Sequence, residues 1–451
     1  MHAIVGMNTD EMRRGRPRAV TIVSRAVFCV LIGLFAAGSV RADEKITPPA
    51  SPGEYLARAG DCVACHSVPD GKAFAGGLKM GTPLGAIYST NITPDRETGI
   101  GGYSLAEFDA AVRRGIAKDG HRLYPAMPYP SYAKLTDADV AALYDFFMKQ
   151  VPPVHQANLK SEISWPLNMR WPLAIWDVLF TASGSYVNKS GHDAAWNRGA
   201  YLVQGLGHCG ACHTARGFAW QEKALDDSGS DFLFGAELDA WYAPDLLGDP
   251  RTGLGSWSKD DIVQFLKHGH NRAATAFGSM IDVVNNSTPY LSDDDLNAIA
   301  DYLKSLPAAS PKPAVAYSGN TTADLRGGHA AQPGAAVYTG TCANCHGFDA
   351  KGFAPYMPPL AGNPVVLDEN PSSLINLVLN GSNPLVVKGQ PDSYRMPQFR
   401  LQYSDQEIAD VLTFIRTGWG NKAPAVTAEQ VAKLRKSTDP TSDRVIILKM
   451  R

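Results

Sequence analysis

Apolar residues recur at helical spacing three times along the chain, in "DVAALYDFF" from Asp139, "DLNAIADYL" from Asp295 and "EIADVLTFI" from Glu407. Residues three and four apart share one face of a helix, so each run predicts an amphipathic helix with one buried side. The starts are marked as well. Thr136, Ser292 and Ser404 stand three residues before Asp139, Asp295 and Glu407, the spacing of an N-cap facing an acidic third residue. A shorter helix is predicted upstream of each, in "YSLAEFDAAVRRG", "WSKDDIVQFLKHG" and "NPSSLINLVLNG". Ser104 with Glu107 and Ser258 with Asp261 cap the first two, and Gly115, Gly269 and Gly381 are the stops. A Gly-led helical run opens each segment, from Gly53, Gly199 and Gly334. Strand alternation is almost absent, so the pattern predicts small all-α domains.

The N-terminus follows a different pattern. Arg13, Arg14, Arg16, Arg18 and Arg25 precede an apolar run from Ala26 to Val40, which ends in Val40-Arg41-Ala42. A basic region, an apolar run and a small-residue ending predict a secretory signal peptide over 1–42. An uncleaved anchor is the rival reading, and the small-residue ending argues against it. Net charge over all 451 residues is -2, so nothing suggests nucleic acid as a partner, and none is expected. Export also permits disulfides. Yet of seven cysteines, all but Cys29 fall in one motif that occurs three times: Cys62-Val63-Ala64-Cys65-His66, Cys209-Gly210-Ala211-Cys212-His213 and Cys342-Ala343-Asn344-Cys345-His346.

Cys-x-x-Cys-His is the attachment signature of c-type haem. Two thiols one helical turn apart can each bond a vinyl group on one porphyrin edge, and the adjacent histidine can reach the iron. The macrocycle then serves a small domain as its apolar core. A zinc site of two Cys pairs would leave the third pair over and gives no role to the three histidines. A redox Cys-x-x-Cys needs a βαβ context that is absent. Each segment also carries a methionine before its last helix: Met127, Met280 and Met396. A thioether on the sixth iron position would raise the potential and close the iron to oxygen chemistry. Met80, Met148 and Met357 lack that placement. His208, His268 and His270 are rival ligands in the second segment, read as surface or outer histidines. No Gly-rich turn sits in a βαβ unit, so no dinucleotide domain is evident.

The stretches "GEYLARAGDCVACH", "YSTNITPDRETGIGGYSLAEF" and "LYPAMPYPSYAKLTDADVAALYDFF" resemble the three-haem cytochrome c subunits of bacterial membrane-bound dehydrogenases, which serve gluconate 2-dehydrogenase and the quinone-linked alcohol, sorbitol and fructose dehydrogenases. The resemblance runs from about Gly53 to Gly420. It implies an all-α chain of three tandem class I cytochrome c domains, each wrapped around one covalent haem c. The attaching pairs would be Cys62/Cys65, Cys209/Cys212 and Cys342/Cys345, the proximal iron ligands His66, His213 and His346, and the distal ligands Met127, Met280 and Met396. It also implies an electron conduit from a catalytic subunit carrying flavin (FAD) or pyrroloquinoline quinone to membrane ubiquinone, with no substrate-oxidising residues of its own. The location would be the periplasmic face of the bacterial cytoplasmic membrane, peripherally attached. The alternative is the cytochrome subunit of an aldehyde or molybdenum-hydroxylase-type dehydrogenase.

The expected organisation is a signal peptide (1–42), domain 1 (50–150), a Trp-rich connector (151–194), domain 2 (195–307), a Pro/Ala-rich linker (308–327), domain 3 (328–420) and a tail (421–451). The connector carries Trp165, Trp171 and Trp176 among apolar residues. Two readings stand open for it: a strap packed across the domains, or a surface lying in a membrane interface. The tail ends in "RVIILKMR", too short to span a bilayer.

Overall fold

The computed structural model describes residues 49–440 apart from 83, 182–183 and 393. The expected signal peptide and the last eleven residues lie outside them. The five expected N-caps form. Ser104, Ser258 and Ser404 make reciprocal capping boxes with Glu107, Asp261 and Glu407, while Thr136 and Ser292 accept from the amides of Asp139 and Asp295. Gly115, Gly269 and Gly381 each take a positive φ of 60–74° at the stop of the preceding helix, which a side chain would strain.

Each segment brings its Gly-led opening against its closing helix, and the glycine decides how near they come. A Cβ on Gly53 would lie 2.1 Å from the carbonyl oxygen of Ala142, on Gly199 1.9 Å from that of Ala298, and on Gly334 2.3 Å from that of Asp410. All three contacts are with backbone, so only a hydrogen permits the crossing. The openings are Pro52–Ala59, Ala194–Gln204, and Ala335–Val337 continued by a π-turn over Tyr338–Cys342; the closing helices are Asp137–Lys149, Asp293–Ser305 and Asp405–Thr417.

The first two segments share one hydrophobic core, running from Leu56 through Leu143, Leu202 and Leu296 to Leu306. They are tied reciprocally. Tyr55 of the first opening helix donates to Asp295 at the start of the second closing helix (2.5 Å), and Tyr201 of the second opening helix donates to Asp139 of the first closing helix. Both tyrosines lie two residues after the crossing glycine. The third segment has Ala336 there and builds its own core around Tyr338, Ile375, Phe414 and Trp419.

The all-α expectation needs one amendment. Three short antiparallel hairpins occur among the described residues: Lys79–Thr82 with Gly85–Tyr88, Ala236–Leu238 with Trp241–Ala243, and Val386–Val387 with Gln390–Pro391. Strands of two to four residues are too short for an alternation to register. Part of the tail is also a packed element: the helix Ala428–Ser437, capped by Thr427 and Gln430, buries Val431 and Leu434 in the third core.

In the Trp-rich stretch, Pro172–Phe180 is helical with its polar contacts turned inward. Asp177 accepts from Arg122 Nη1 (2.8 Å) and Tyr129 Oη (2.7 Å), and Trp176 Nε1 donates to the Ala219 carbonyl (2.8 Å). Trp165, Trp171 and Val178 face away, at 78%, 65% and 84% exposure. No helix among the described residues is long and apolar enough to cross a membrane.

Candidate haem sites

The three Cys-x-x-Cys-His motifs adopt the same arrangement. Each is one short helical turn, Cys62–Cys65, Gly210–His213 and Ala343–His346. In each, the histidine Nδ1 meets a backbone carbonyl: His66 to Thr90 (2.7 Å), His213 to Pro244 (2.7 Å) and His346 to Pro358 (3.0 Å). A carbonyl can only accept, so Nδ1 carries the proton and Nε2 keeps its lone pair. Burial lowers the pKa of all three histidines, which favours the neutral, metal-ligating form.

The thiols behave differently from those of a thiolate metal site. Burial pushes Cys62 and Cys209 up to about 12 and Cys212 and Cys342 up to about 11. The shift keeps these four thiols protonated, which disfavours thiolate ligation of zinc. None of the six forms a disulfide, and no group of three or more His, Cys, Asp or Glu among the described residues could hold a metal ion.

In the second segment the motif borders a deep apolar cavity. Cys209, Cys212 and His213 line it together with Met280, between walls that include Leu202, Trp257, Ile299 and Leu303. Two polar atoms on its lining, Trp257 Nε1 and Thr275 Oγ1, are buried with no hydrogen-bond partner. A flat apolar macrocycle bearing two carboxylates fits this lining: the walls cover the ring, and the two unspent donors are available to the carboxylates. Ala59 from the first segment and Asn363, Pro364 and Val365 from the third complete the cavity.

The methionines occupy comparable places. The segment leading to Met127 is tied to the first helix stop by Leu123 N to Gly115 O (2.8 Å), that leading to Met280 to the second by Ala276 N to Gly269 O (2.6 Å), and Met396 is pinned to Ser382, one residue beyond the third, in both directions (2.9 and 3.0 Å). Met280 opens the helix Met280–Asn286 rather than standing in a loop. Met80 is core, packed with Ile87 and Ile163. Of the rival histidines, His208 holds the Leu206 carbonyl (2.7 Å) with its ring edge-on to Tyr132, and His270 turns to Asp392 (2.9 Å).

Sequence reasoning missed Glu222. It is 4% exposed, beside the second motif, with Arg216 Nη1 at 3.6 Å and an oxygen 2.7 Å from where a Gly210 side chain would begin. Burial pushes its carboxyl up to about 7. Nearby, Lys134 crosses from the first segment to Gln204 (3.0 Å) and Asp226 (3.1 Å).

A family model described as cytochrome c matches residues 50–150 and 331–419, leaving the middle motif outside both matches. The chain is 52% identical to the cytochrome c subunit of a quinone alcohol dehydrogenase from Gluconacetobacter polyoxogenes, across 93% of this chain and 90% of that one. It is 50% identical to the gluconate 2-dehydrogenase cytochrome c subunit of Pantoea cypripedii, across 91% and 95%. Against the fructose dehydrogenase cytochrome subunit of Gluconobacter japonicus the identity is 38%, across 94% and 90%.

Proposed function

The chain belongs to the family of cytochrome c subunits that serve quinone-linked dehydrogenases, and from that premise we propose that it carries electrons through three covalent haems c to ubiquinone. The donor would be a catalytic dehydrogenase subunit holding FAD or pyrroloquinoline quinone and acting on a sugar or alcohol. The observation that carries the count of three is the repeated histidine, with Nδ1 held by a carbonyl in every motif. The repeated glycine crossing supports three tandem domains in the same way.

Bound haem supplies a one-electron centre. The chain's own residues do the rest. Cys62/Cys65, Cys209/Cys212 and Cys342/Cys345 would hold it covalently; His66, His213 and His346 would be its proximal ligands, and Met127, Met280 and Met396 its distal ligands. The Thr90, Pro244 and Pro358 carbonyls fix the imidazole tautomer and orientation. The apolar lining of the middle cavity excludes water and so favours the less charged, reduced centre.

Export to the periplasmic face and peripheral attachment complete the reading. The outward residues of the Trp-bearing stretch (Trp165, Trp171, Ile175, Val178 and Leu179) form the surface suited to a membrane interface, while Trp176 is committed to packing.

Taking two electrons and a proton from a carbinol requires an acceptor such as flavin or quinone. The purified chain, free of both, is therefore expected to leave its haems oxidised when mixed with ethanol, gluconate or fructose. Adding the dehydrogenase subunit should make haem reduction depend on substrate, as followed by absorbance. Haem reduction by the pure chain alone would overturn the carrier reading.

A further inference from the structure

Reduction of a quinone to its quinol consumes two electrons and two protons, whereas a row of haems delivers electrons alone. Protons have to be supplied near the electron exit, from water directly or through a side chain. Among the described residues, one titratable pair lies between two haem-binding segments under an aromatic cover. His270 Nε2 donates to Asp392 Oδ2 at 2.9 Å, which leaves Nδ1 on the opposite side of the ring from the carboxylate. Tyr356 packs against the His270 ring (centroids 5.7 Å), and Tyr394 stands edge-on to Tyr356 (6.2 Å).

The position of each member is informative. His270 is paired through its backbone with Thr275, which lines the cavity of the second motif. Tyr356 lies two residues before Pro358, whose carbonyl holds His346. Asp392 follows the last hairpin and leads into Met396. The cluster therefore touches the walls of two haem segments at once. His270 is 9% exposed, whereas Tyr356 and Tyr394 are 40% and 69% exposed, so the buried imidazole lies beside aromatic rings open to solvent. Two other histidines face carboxylates, His121 at Asp119 and His155 at Asp95, but both are exposed and neither bridges two haem segments.

We propose that this cluster is the headgroup site for quinone, with the ring lying against Tyr394 and a carbonyl oxygen accepting from Nδ1 of the doubly protonated His270 ring. The inference rests on the carrier reading above. Two electrons from two reduced haems and two protons passed singly from His270 convert quinone to quinol. Asp392, partly open to solvent, accepts from Nε2–H, orients the imidazole and balances the charge of its protonated form, and each proton lost from Nδ1 is replaced from water.

The test compares two acceptors in the assembled complex: a short-chain ubiquinone, which takes electrons with protons, and ferricyanide, which takes one electron and no proton. His270→Gln and Asp392→Asn are expected to lower quinone reduction by roughly tenfold to a hundredfold, with ferricyanide reduction and haem content unchanged. Tyr394→Ser, at an exposed position, should raise the KM for quinone and leave that for ferricyanide alone. Equal quinone rates in variants and wild type would overturn the site, as would quinone and ferricyanide rates that fall together. A wild-type complex that reduces ferricyanide and no quinone would instead overturn the carrier reading itself.

Discussion

Alanine at position 199 is expected to destabilise the protein by about 2 kcal/mol or more, against the direction that helix propensity sets. Gly199 sits inside the helix Ala194–Gln204, where alanine would ordinarily be favoured by about 1 kcal/mol. Packing wins because the new methyl carbon would begin 1.9 Å from the Ala298 oxygen, 2.5 Å from the Ala298 carbonyl carbon and 2.9 Å from Tyr302 Cβ. Backbone cannot rotate aside, so the helices must part and the fully buried Ala200, Leu296 and Tyr302 lose close packing. Gly340 is the control: a Cβ there meets nothing within 4 Å, and Gly340→Ala should be neutral or mildly stabilising. Denaturant unfolding of both variants decides the matter. A Gly199→Ala midpoint at or above wild type would remove the crossing from the account.

The pH dependence of stability should change with Glu222. Its folded carboxyl is pushed up to about 7 from an ordinary 4.5, so the folded state binds this proton more tightly than the unfolded chain does. The resulting stabilisation is complete below the ordinary value and is lost as pH rises through about 7. Over that window the loss is about 3 kcal/mol, and the 4% exposure leaves little solvent to screen it. Arg216 and Lys134 pull the carboxyl the other way without cancelling the burial. Glu222→Gln keeps the shape and removes the titration. The difference in unfolding free energy between variant and wild type is expected to grow in favour of glutamine from pH 5 to pH 8. A flat difference would show that Glu222 ionises freely.

The features legible in the sequence are local ones. Caps such as Ser104 with Glu107 and stops such as Gly115 need only neighbours along the chain, and the Cys-x-x-Cys-His spacing is set by one helical turn. The features that were not legible depend on distant chain. The partners of the three histidines are carbonyls, which no side chain announces. The joining of the first two segments rests on Tyr55 and Tyr201, each two residues past its crossing glycine; aligning the repeats at that glycine would have exposed Ala336 as the odd member. The helix after residue 420 carried its own signal, Thr427 three before Gln430, which the linker-like residues around it obscured. In the Trp-rich stretch, helical spacing turns Trp176 toward Ala219 and Trp171 toward solvent, a split that composition alone does not reveal.

The count of covalent haems tests the central claim most directly, since the family model covers two of the three motifs while the side-chain geometry repeats three times. Intact-mass measurement of the exported, mature chain, after acid–acetone extraction of any loosely held haem, is expected to show the polypeptide from Asp43 plus three haem masses. A mass carrying two, with the peptide spanning Cys209 and Cys212 unmodified, would contradict the account.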